Sequence, residues 1–294
     1  MKNNCPACLK NKTKFKVLVP DFEYGLPFSA EYAECSNCAT NFQIPMPSLK
    51  KVSSFYPENY HSFESLGILK EVRSWMRLQG LRKFICKNDK ILDFGCGNGD
   101  FLFFASKSFP NCTFYGYEIA KKNQKIEYNK GKLIIIKGSI KFLISEIPKM
   151  KIITMNHTIE HLVDPEKVIK KLKNKVRTDG IIDGQTPATD SFEKKLFKKY
   201  WSGFHSPRHT VIFSRDGLKN LSLRVGMEKI IIKSAFNPAS YAVSFCAFFL
   251  RNKKITRKGP LWLIFILLGS IFSILDVVLL SSGVINFRIY RKAK

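Results

Sequence analysis

The sequence is poor in acidic residues: 23 Asp and Glu stand against 49 Lys and Arg, which gives a formal charge of +26. This balance excludes an acidic surface and is compatible with anionic partners such as nucleic acid, anionic lipid or phosphorylated substrates. The basic residues are dispersed, however, and no block of five or more like charges occurs. Dispersed lysines are typical of a solvated surface, so the charge alone does not indicate a nucleic-acid-binding protein.

The sequence also lacks internal repeats and low-complexity tracts, and residues 1–10 contain no apolar stretch of signal-peptide length. We therefore expect no secretory leader and a reducing compartment. Apolar residues make up 45% of the 294 residues, which is enough to bury a core. At roughly 100–200 residues per domain, the length indicates one large domain with small attachments.

Cysteine is scarce outside two CxxC pairs, Cys5 with Cys8 and Cys35 with Cys38. Two such pairs present four thiolates, which is the ligand set of a closed, structural zinc site. A redox dithiol is an alternative for a single pair, but two pairs together favour zinc. We therefore expect residues 1–60 to form a small zinc-binding module. The other cysteines are isolated: Cys86, Cys96, Cys112 and Cys246.

From Asp89 onwards, short apolar runs alternate with segments of helical pattern. The predicted strands are 90–95, 113–118, 132–138, 151–157, 180–187, 227–234 and 283–292. The predicted helices are 98–108, 119–130, 139–147, 164–177 and 215–226. Apolar strands that alternate with helices indicate an α/β fold whose parallel sheet is covered on both faces. Residues 89–294 thus form the main domain, and a connecting helix is expected within 61–88.

A glycine-rich loop, GCGNG at 95–99, follows the first strand of this pattern. Glycines at such a turn let the backbone approach a ligand closely. The third glycine of a dinucleotide-binding GxGxxG loop would stand at Asp100, and the GK[ST] of a Walker loop is absent. Glu118 ends the next strand, where a carboxylate can accept both hydroxyls of a ribose.

With these motifs the chain resembles the class I S-adenosylmethionine-dependent methyltransferases. The resemblance is carried by ILDFGCGNGDFL (91–102), YGYEIA (115–120), NHTIEHLVDP (156–165), KVRTDGIID (175–183) and QTP (185–187). It implies a seven-stranded Rossmann-like sheet, parallel with one reversed strand. It also implies transfer of a methyl group from S-adenosylmethionine.

The resemblance further implies roles for individual residues. Glu118 takes the ribose hydroxyls, and Ile119 packs on the adenine. Ser139 stands where the family usually has an acidic residue near the adenine amine; it can accept a hydrogen bond but lacks the charge. The other residues implied at the cofactor are Asp93, Gly95, Gly97, Asn98, Gly99 and Asn156.

Residues 157–161 form the pattern HxxEH, which on a helix is typical of zinc proteases. Here the preceding apolar run predicts a strand, so His157 falls at a strand tip, and no third ligand on a neighbouring helix suggests itself. At the carboxyl edge of a methyltransferase sheet, His157 or His161 could instead take a proton from a substrate hydroxyl. An orienting or capping role is the alternative for each histidine.

A second cluster, YWSGFHSPRH at 200–209, is called the acceptor loop below. It resembles a segment found in a methyltransferase subfamily linked to surface glycans and small metabolites. The resemblance implies that it folds over the cofactor's sulfonium, with His205 as a third candidate catalytic residue. Together with Arg208 and His209 it could hold a polar or phosphorylated acceptor. The alternative is a loop packed on the sheet edge, with Arg208 in a structural salt bridge.

Residues 261–280 are nearly all apolar and lie between the last two predicted strands. If those strands pair, the insertion 235–282 leaves and returns on one side of any membrane, which excludes a single span. A partner segment at 236–250 would cover only ~22 Å as a helix, short of the ~30 Å hydrocarbon core. We therefore expect a re-entrant or interfacial hairpin with basic flanks on anionic headgroups. Two buried helices that cover the sheet in a soluble protein or dimer are the alternative.

These observations predict a methyltransferase on the cytoplasmic side of a membrane, or in the cytoplasm if the insertion is buried. The expected acceptor is a small or lipid-linked glycan or metabolite, with O-methylation favoured over C-methylation. The two CxxC pairs and the positive charge are also compatible with an RNA methyltransferase that has a zinc ribbon. The dispersed basic residues and the apolar insertion argue against a nucleic-acid partner. A membrane-bound binding module without turnover is the third alternative. The intact set of Asp93, the glycine loop and Glu118 argues against it.

Overall fold

The structure is a computed structural model that describes residues 4–56, 67–119, 122–251, 255 and 257–291, without the side chains of 67–70. Part of the predicted connecting segment and half of the basic stretch 251–258 lie outside the described residues. In chain order the strands are β1 (Thr13–Pro20), β2 (Ser29–Cys35), β3 (Asn41–Gln43), β4 (Lys90–Phe94), β5 (Thr113–Ile119), β6 (Gln124–Tyr128), β7 (Leu133–Gly138), β8 (Met150–Asn156), β9 (Val176–Pro187), β10 (Val211–Ile212), β11 (Met227–Ser234) and β12 (Val284–Arg291). The helices are α1 (Leu49–Ser53), α2 (Gly67–Leu81), α3 (Asp100–Ser108), α4 (Ile140–Glu146), α5 (Pro165–Lys173), α6 (Phe192–Phe197), α7 (Arg215–Arg224), α8 (Pro238–Leu250) and α9 (Pro260–Val278).

The main sheet has the strand order β11-β12-β9-β8-β4-β5-β7-β6. The five strands from β9 to β7 are parallel. Strand β12 is reversed and pairs with β9 and β11. The predicted α/β class and the mixed sheet with a reversed β12 are therefore confirmed.

The prediction of seven strands with one reversed strand is wrong, because β6 adds an eighth strand antiparallel to β7. The predicted helix over 119–130 is wrong for the same reason. Residues Gln124–Tyr128 carry only one central apolar side chain, Ile126, which pairs opposite Ile135. A charged, alternating segment of this kind suits a sheet edge, and pairing with β7 decides its structure over local helical pattern.

The central strands send successive side chains into two cores, since neighbouring residues of a strand point to opposite faces. Ile152 enters the core beneath α2 and α3, whereas Ile153 enters the core beneath α4, α5 and α7. On the neighbouring strand β9, Ile181 enters the first of these cores and Ile182 enters the second. Both faces of the sheet are thus covered, and its carboxyl edge remains for the site.

A second sheet joins the N-terminal segment to the acceptor loop. It is antiparallel throughout, with the order β1-β2-β3-β10. Strand β10 directly follows the acceptor loop and pairs with β3, Val211 opposite Phe42. Gln43 Nε2 donates to the carbonyls of Pro207 and His209 at 2.7 and 2.8 Å. The N-terminal segment therefore fixes the backbone of the acceptor loop.

Helices α8 and α9 form the hairpin inserted between β11 and β12, which pair antiparallel as predicted. Helix α8 is the inner helix of the hairpin. Its Ser240 and Ser244 hydroxyls each donate to the Glu193 carboxylate at 2.8 Å. Burial raises the pKa of Glu193 to about 7. Ser244 also accepts the N–H of Ser202 at 2.8 Å, so α8 is anchored against the acceptor loop.

Helix α9 is the outer helix and packs through one strip, Phe265, Gly269, Ser273 and Asp276. Within that strip the Tyr241 hydroxyl of α8 donates to Asp276 at 2.6 Å. The remaining large apolar side chains of α9 are mostly exposed, among them Leu261, Leu263, Ile264, Leu267, Ile271, Ile274, Leu275 and Val278. In the part of the chain that the structure describes, α9 is the one helix long and apolar enough to cross a membrane, by length and composition alone. Because most of these side chains are exposed, α9 is not a buried helix within a single chain.

Candidate active site

The glycine loop turns at the carboxyl end of β4. Gly95, Gly97 and Gly99 all have positive φ, at 84°, 55° and 84°. A Cβ added at Gly95 would lie 2.5 Å from Thr158 Oγ1. The glycine loop therefore touches the segment after β8 directly, and only glycine allows that approach.

Glu118 faces the glycine loop from the end of β5. Its Oε2 accepts the N–H of Gly97 at 2.9 Å, and its Oε1 accepts the N–H of Ile119 at 3.1 Å. Burial raises the pKa of this carboxyl, while the two amide donors oppose that rise. Ile119 follows at the strand end with 61% of its side chain exposed. The predicted ribose and adenine residues are therefore adjacent at the same edge.

Asp93 is held by a partner that the sequence did not indicate. Arg77 of α2 contacts both its oxygens, at 2.5 and 3.2 Å. Thr154 of β8 donates to Oδ1 of Asp93 at 2.7 Å and accepts from Arg77 at 2.7 Å. The guanidinium also lies 3.8 Å from the centre of the Phe101 ring. This network fixes α2 against the start of the glycine loop.

The remaining predicted cofactor residues lie along the same edge. Asn98 Oδ1 accepts the N–H of Asp100 at 3.3 Å. Ser139 caps α4, its hydroxyl accepting the N–H of Phe142 at 3.2 Å. Asn156 ends β8, and its carbonyl accepts the Thr158 hydroxyl at 3.0 Å. The ends of β4, β5, β7 and β8 thus bring the predicted cofactor residues to one edge.

Four histidines meet beside this edge, two after β8 and two from the acceptor loop; His61 lies outside the described residues. The ring centres of His161 and His209 are 4.6 Å apart, and those of His205 and His209 are 4.9 Å apart. His157 Nδ1 lies 3.3 Å from Glu160 Oε1. The two segments that the sequence singled out separately therefore form one histidine cluster.

Glu160 stands at the centre of the histidine cluster and is fully buried. Its Oε2 accepts the Thr186 hydroxyl at 3.0 Å, and His209 Nε2 lies 3.9 Å from Oε1. Burial alone would raise the pKa of this carboxyl, but His157 and His209 outweigh it and lower the pKa to about 2. The HxxEH pattern contained Glu160, yet the sequence analysis assigned it no role.

The histidines differ in their surroundings. His157 is the most accessible, with 46% of its side chain exposed, and its Nε2 lies 2.9 Å from Gln185 Oε1. Desolvation lowers the pKa of His161. Desolvation also opposes protonation of His157, but the Glu160 carboxylate outweighs it and raises the pKa of His157.

His205 has both ring nitrogens engaged. Its Nδ1 lies 2.5 Å from Glu23 Oε2, and its Nε2 accepts the Nε–H of Arg208 at 3.0 Å. Arg208 is itself buried and makes two hydrogen bonds to Asp21, at 2.9 and 2.7 Å. The structural salt bridge considered for Arg208 is therefore present, and it orients His205.

The sequence analysis found no third ligand to accompany HxxEH. The structure places His209 in that position, so that a ring nitrogen of His209, one of His161 and a carboxylate oxygen of Glu160 lie within 4.8 Å of one another. His209 lies on a loop remote in sequence and not on a neighbouring helix, so the expectation of no third ligand on such a helix is not contradicted.

The two CxxC pairs come together as predicted. The Sγ atoms of Cys5 and Cys38 are 3.7 Å apart, and those of Cys8 and Cys35 are 3.5 Å apart. All four sulfurs lie within 4.8 Å of one another. Zn–S bonds of about 2.3 Å in a tetrahedron place the sulfurs about 3.8 Å apart, so the four thiols fit such a metal.

The backbone repeats the same turn at both CxxC pairs. The N–H of Leu9 donates to the Cys5 carbonyl at 2.9 Å, and the N–H of Ala39 donates to the Cys35 carbonyl at 2.9 Å. Leu9 and Ala39 both have positive φ. This repeat directs two thiols from each turn to one point.

Comparisons with known proteins agree with the fold. A curated relative, the carboxy-S-adenosyl-L-methionine synthase of Nautilia profundicola, is 25% identical over 171 residues, 56% of this chain and 63% of that protein. This chain thus spans less than two thirds of that relative's length.

Two solved structures are similar to the chain at low identity, and the first of them shares the fold. A phosphoethanolamine N-methyltransferase of Haemonchus contortus, in complex with S-adenosyl-L-methionine, is 11% identical with a TM-score of 0.52, over 86% of this chain and 62% of that one. A SAM-dependent methyltransferase of Archaeoglobus fulgidus is 17% identical with a TM-score of 0.49, over 75% of this chain and 93% of that one.

The family comparison covers the part of the chain that carries the site. The family model described as a methyltransferase domain matches residues 69–230, which include the glycine loop, Glu118 and the histidine cluster. The chain therefore belongs to the methyltransferase domain family.

Proposed function

We propose that the protein transfers a methyl group to a hydroxyl of a small or lipid-linked glycan or metabolite. One observation carries this proposal: the histidine cluster lies directly beside the glycine loop, which touches Thr158. A cofactor held by the loop and Glu118 would present its methyl group towards the histidines. Imidazoles suit the deprotonation of a hydroxyl near neutral pH.

The chemistry is an in-line displacement. S-adenosylmethionine, when bound, supplies a methyl carbon on a positively charged sulfur, which is a good leaving group. The chain's own residues hold the acceptor oxygen in line with that carbon, and this alignment supplies most of the rate. His157, the most accessible of the four histidines, takes the hydroxyl proton. The buried aromatic rings of Trp201 and Phe204 exclude water from the acceptor loop.

A lipid-linked acceptor is favoured by the place of the hairpin. Helix α8 packs on the acceptor loop through the Ser202–Ser244 hydrogen bond. A small cavity of about 20 Å³, room for a single water molecule, lies between them, with Val243, Ala247 and Ile255 on the hairpin side and Glu23 and His205 on the other. The hairpin thus brings apolar side chains next to polar groups of the acceptor loop, as an acceptor with an apolar tail and a polar head would require.

We further propose that the outer face of α9 lies in the membrane interface, on the cytoplasmic side. Both ends of the hairpin are tied to paired strands, and Arg257 near its tip pairs with Glu23 of the main body. A hairpin held at its base and near its tip lies along the protein and does not cross a bilayer. Its exposed apolar side chains then enter the headgroup boundary of one leaflet.

Zinc is the metal we propose for the four cysteines. The distances between sulfurs and the repeated turn support a closed site of four thiolates, which has no open position for catalysis. Its role is structural, since the cysteines brace the sheet that holds the acceptor loop.

The first prediction concerns the acceptor. Labelled S-adenosylmethionine should methylate a lipid-linked or free glycan fraction, and His157→Gln should lower kcat by about 10²–10⁴ with cofactor affinity unchanged. Scintillation counting of separated fractions measures the transfer, and calorimetry measures the affinity. Label that enters only total RNA, supplied in the same assay, would contradict the proposed acceptor class.

The second prediction concerns the cofactor carboxylate. Glu118→Ala removes two charge-assisted hydrogen bonds and should weaken cofactor binding by about 2–3 kcal/mol, roughly 30- to 150-fold. Calorimetric titration checks this. Glu127→Ala, an exposed carboxylate of the edge strand β6, is the matched control and should bind as the wild type does. Unchanged affinity of Glu118→Ala for the cofactor and its demethylated product would remove this role.

The third prediction concerns zinc. The double variant Cys35→Ser, Cys38→Ser should contain about one zinc per chain less than the wild type. It should still bind S-adenosylmethionine, but methyl transfer should fall because the acceptor loop loses its brace. Plasma emission spectrometry counts the metal, and the exposed Cys86→Ser is the control. Protein purified without chelators that contains no zinc would defeat the proposal.

The fourth prediction concerns the hairpin. Two outer residues of α9, Leu267 and Ile271, are 59% and 58% exposed, so replacing both by Asp should leave the fold intact. Each lost burial costs about 1.5–3 kcal/mol, which predicts at least a tenfold loss of binding to phosphatidylglycerol vesicles. Co-sedimentation measures it.

The matched control for the hairpin is the pair Leu49→Asp, Leu223→Asp, two exposed leucines on other helices, which should sediment with vesicles as the wild type does. High salt should release the wild type only partly, because apolar burial is insensitive to salt. Wild-type protein that stays in solution with the vesicles present would end the membrane proposal.

A further inference from the structure

We propose that Glu160, His161 and His209 form a second metal site, separate from the cysteines, which binds one divalent cation at the acceptor end of the active site. Their three candidate ligand atoms lie within 4.8 Å of one another. For His209 and Glu160 the distance from Nε2 to Oε1 is 3.9 Å. Ligands at about 2.0–2.2 Å from one ion stand roughly 3–4 Å apart, so a small contraction closes the site.

The backbone assigns the protons of both histidines. His209 Nδ1 lies 2.8 Å from the Gly203 carbonyl, and His161 Nδ1 lies 3.1 Å from the Arg208 carbonyl. A carbonyl only accepts, so Nδ1 of His209 carries the proton and its Nε2 holds a lone pair. His161 Nδ1 also lies 2.8 Å from the Tyr56 hydroxyl, which can accept the same proton, so the same arrangement fits His161. This is how metal-binding histidines are usually oriented, with the second nitrogen bonded to a carbonyl.

Glu160 supplies the independent observation. It is fully buried, and its Oε2 is satisfied by Thr186. Its Oε1 forms no hydrogen bond within the described residues. A buried acceptor without a donor destabilises the fold, and more so when it is charged. A cation between Glu160 and the two imidazoles would satisfy this oxygen, which otherwise has only the rings of His157 and His209 beside it, at 3.3 and 3.9 Å.

The other two histidines do not belong to the site. The ring nitrogens of His205 contact Glu23 and Arg208. The ring nitrogens of His157 contact Glu160 and Gln185, and 46% of its side chain is exposed. Two imidazoles and one carboxylate suit Mn²⁺, Fe²⁺, Co²⁺ or Zn²⁺ better than Ca²⁺ or Mg²⁺, and three ligands leave positions open.

The role of the cation rests on the proposed function. At an open position it would hold the acceptor oxygen and lower the pKa of that hydroxyl. The proton then passes to His157, an oxygen lone pair forms the new bond to the methyl carbon, and the carbon–sulfur electron pair returns to sulfur. No oxidant or reductant is required.

The test is a metal count on the full chain. Mn²⁺ is the probe, because thiolates prefer softer ions and the cysteine site should keep its zinc. Total metal is measured by plasma emission, and bound Mn²⁺ by the loss of the free-ion paramagnetic resonance signal. The wild type should reach two metal ions per chain. His209→Gln and Glu160→Gln should each bind Mn²⁺ at least tenfold more weakly and stay near one.

His205→Gln is the matched control, a neighbour in the same cluster that should still reach two ions. Wild-type protein that holds no metal beyond the cysteine site overturns the inference, as does His209→Gln with wild-type Mn²⁺ affinity. If Glu160→Gln fails to fold, the wild type and His209→Gln decide the matter. Calorimetry with S-adenosylmethionine distinguishes failure of this inference from failure of the proposed function. If the protein binds the cofactor but no Mn²⁺, the second metal site is excluded and the proposed function is not.

Discussion

The buried ion pair between Arg208 and Asp21 is the interaction on which the rest of the site depends. Both side chains are fully enclosed and joined by two hydrogen bonds. Removing one partner of such a pair typically costs about 3–5 kcal/mol, because the other charge stays buried. The same guanidinium bonds the Phe55 carbonyl and His205, so one residue joins the N-terminal segment, the stretch after α1 and the histidine cluster. The Arg208 carbonyl then orients His161.

The elements that the sequence predicted well are those with a local signal. The apolar runs of β4, β5, β7, β8 and β9 indicate burial on both faces, and the glycine loop indicates a backbone conformation that other residues rarely adopt. Gln124–Tyr128 shows the limit of this reasoning. Its polar composition is equally compatible with an exposed helix and with an edge strand, and only the presence of β7 beside it decides.

The site was predictable in its parts but not in its assembly. The cysteine spacing predicted four converging thiols, because two identical motifs require few geometric assumptions. Glu160 and His209 were missed as a pair since they lie on separate segments that only the fold brings together. Arg77 was missed for the same reason: it stands in a helix before the sheet, and nothing local indicates that it meets Asp93. Ion pairs between residues far apart in the chain produce no recognisable pattern of residue spacing in the sequence.

The hairpin and the histidine cluster are physically connected. Arg257 near the hairpin tip pairs with Glu23, whose other oxygen lies 2.5 Å from His205. At the inner helix, Glu193 links α8 to Ser202 of the acceptor loop. If the outer face of α9 lies in lipid, as proposed, both links run from the membrane face to the acceptor loop without crossing the cofactor edge. A lipid-borne acceptor would then approach the histidines from the hairpin side, while the cofactor enters from the glycine loop. Two substrates of opposite polarity would thus reach one site by separate routes.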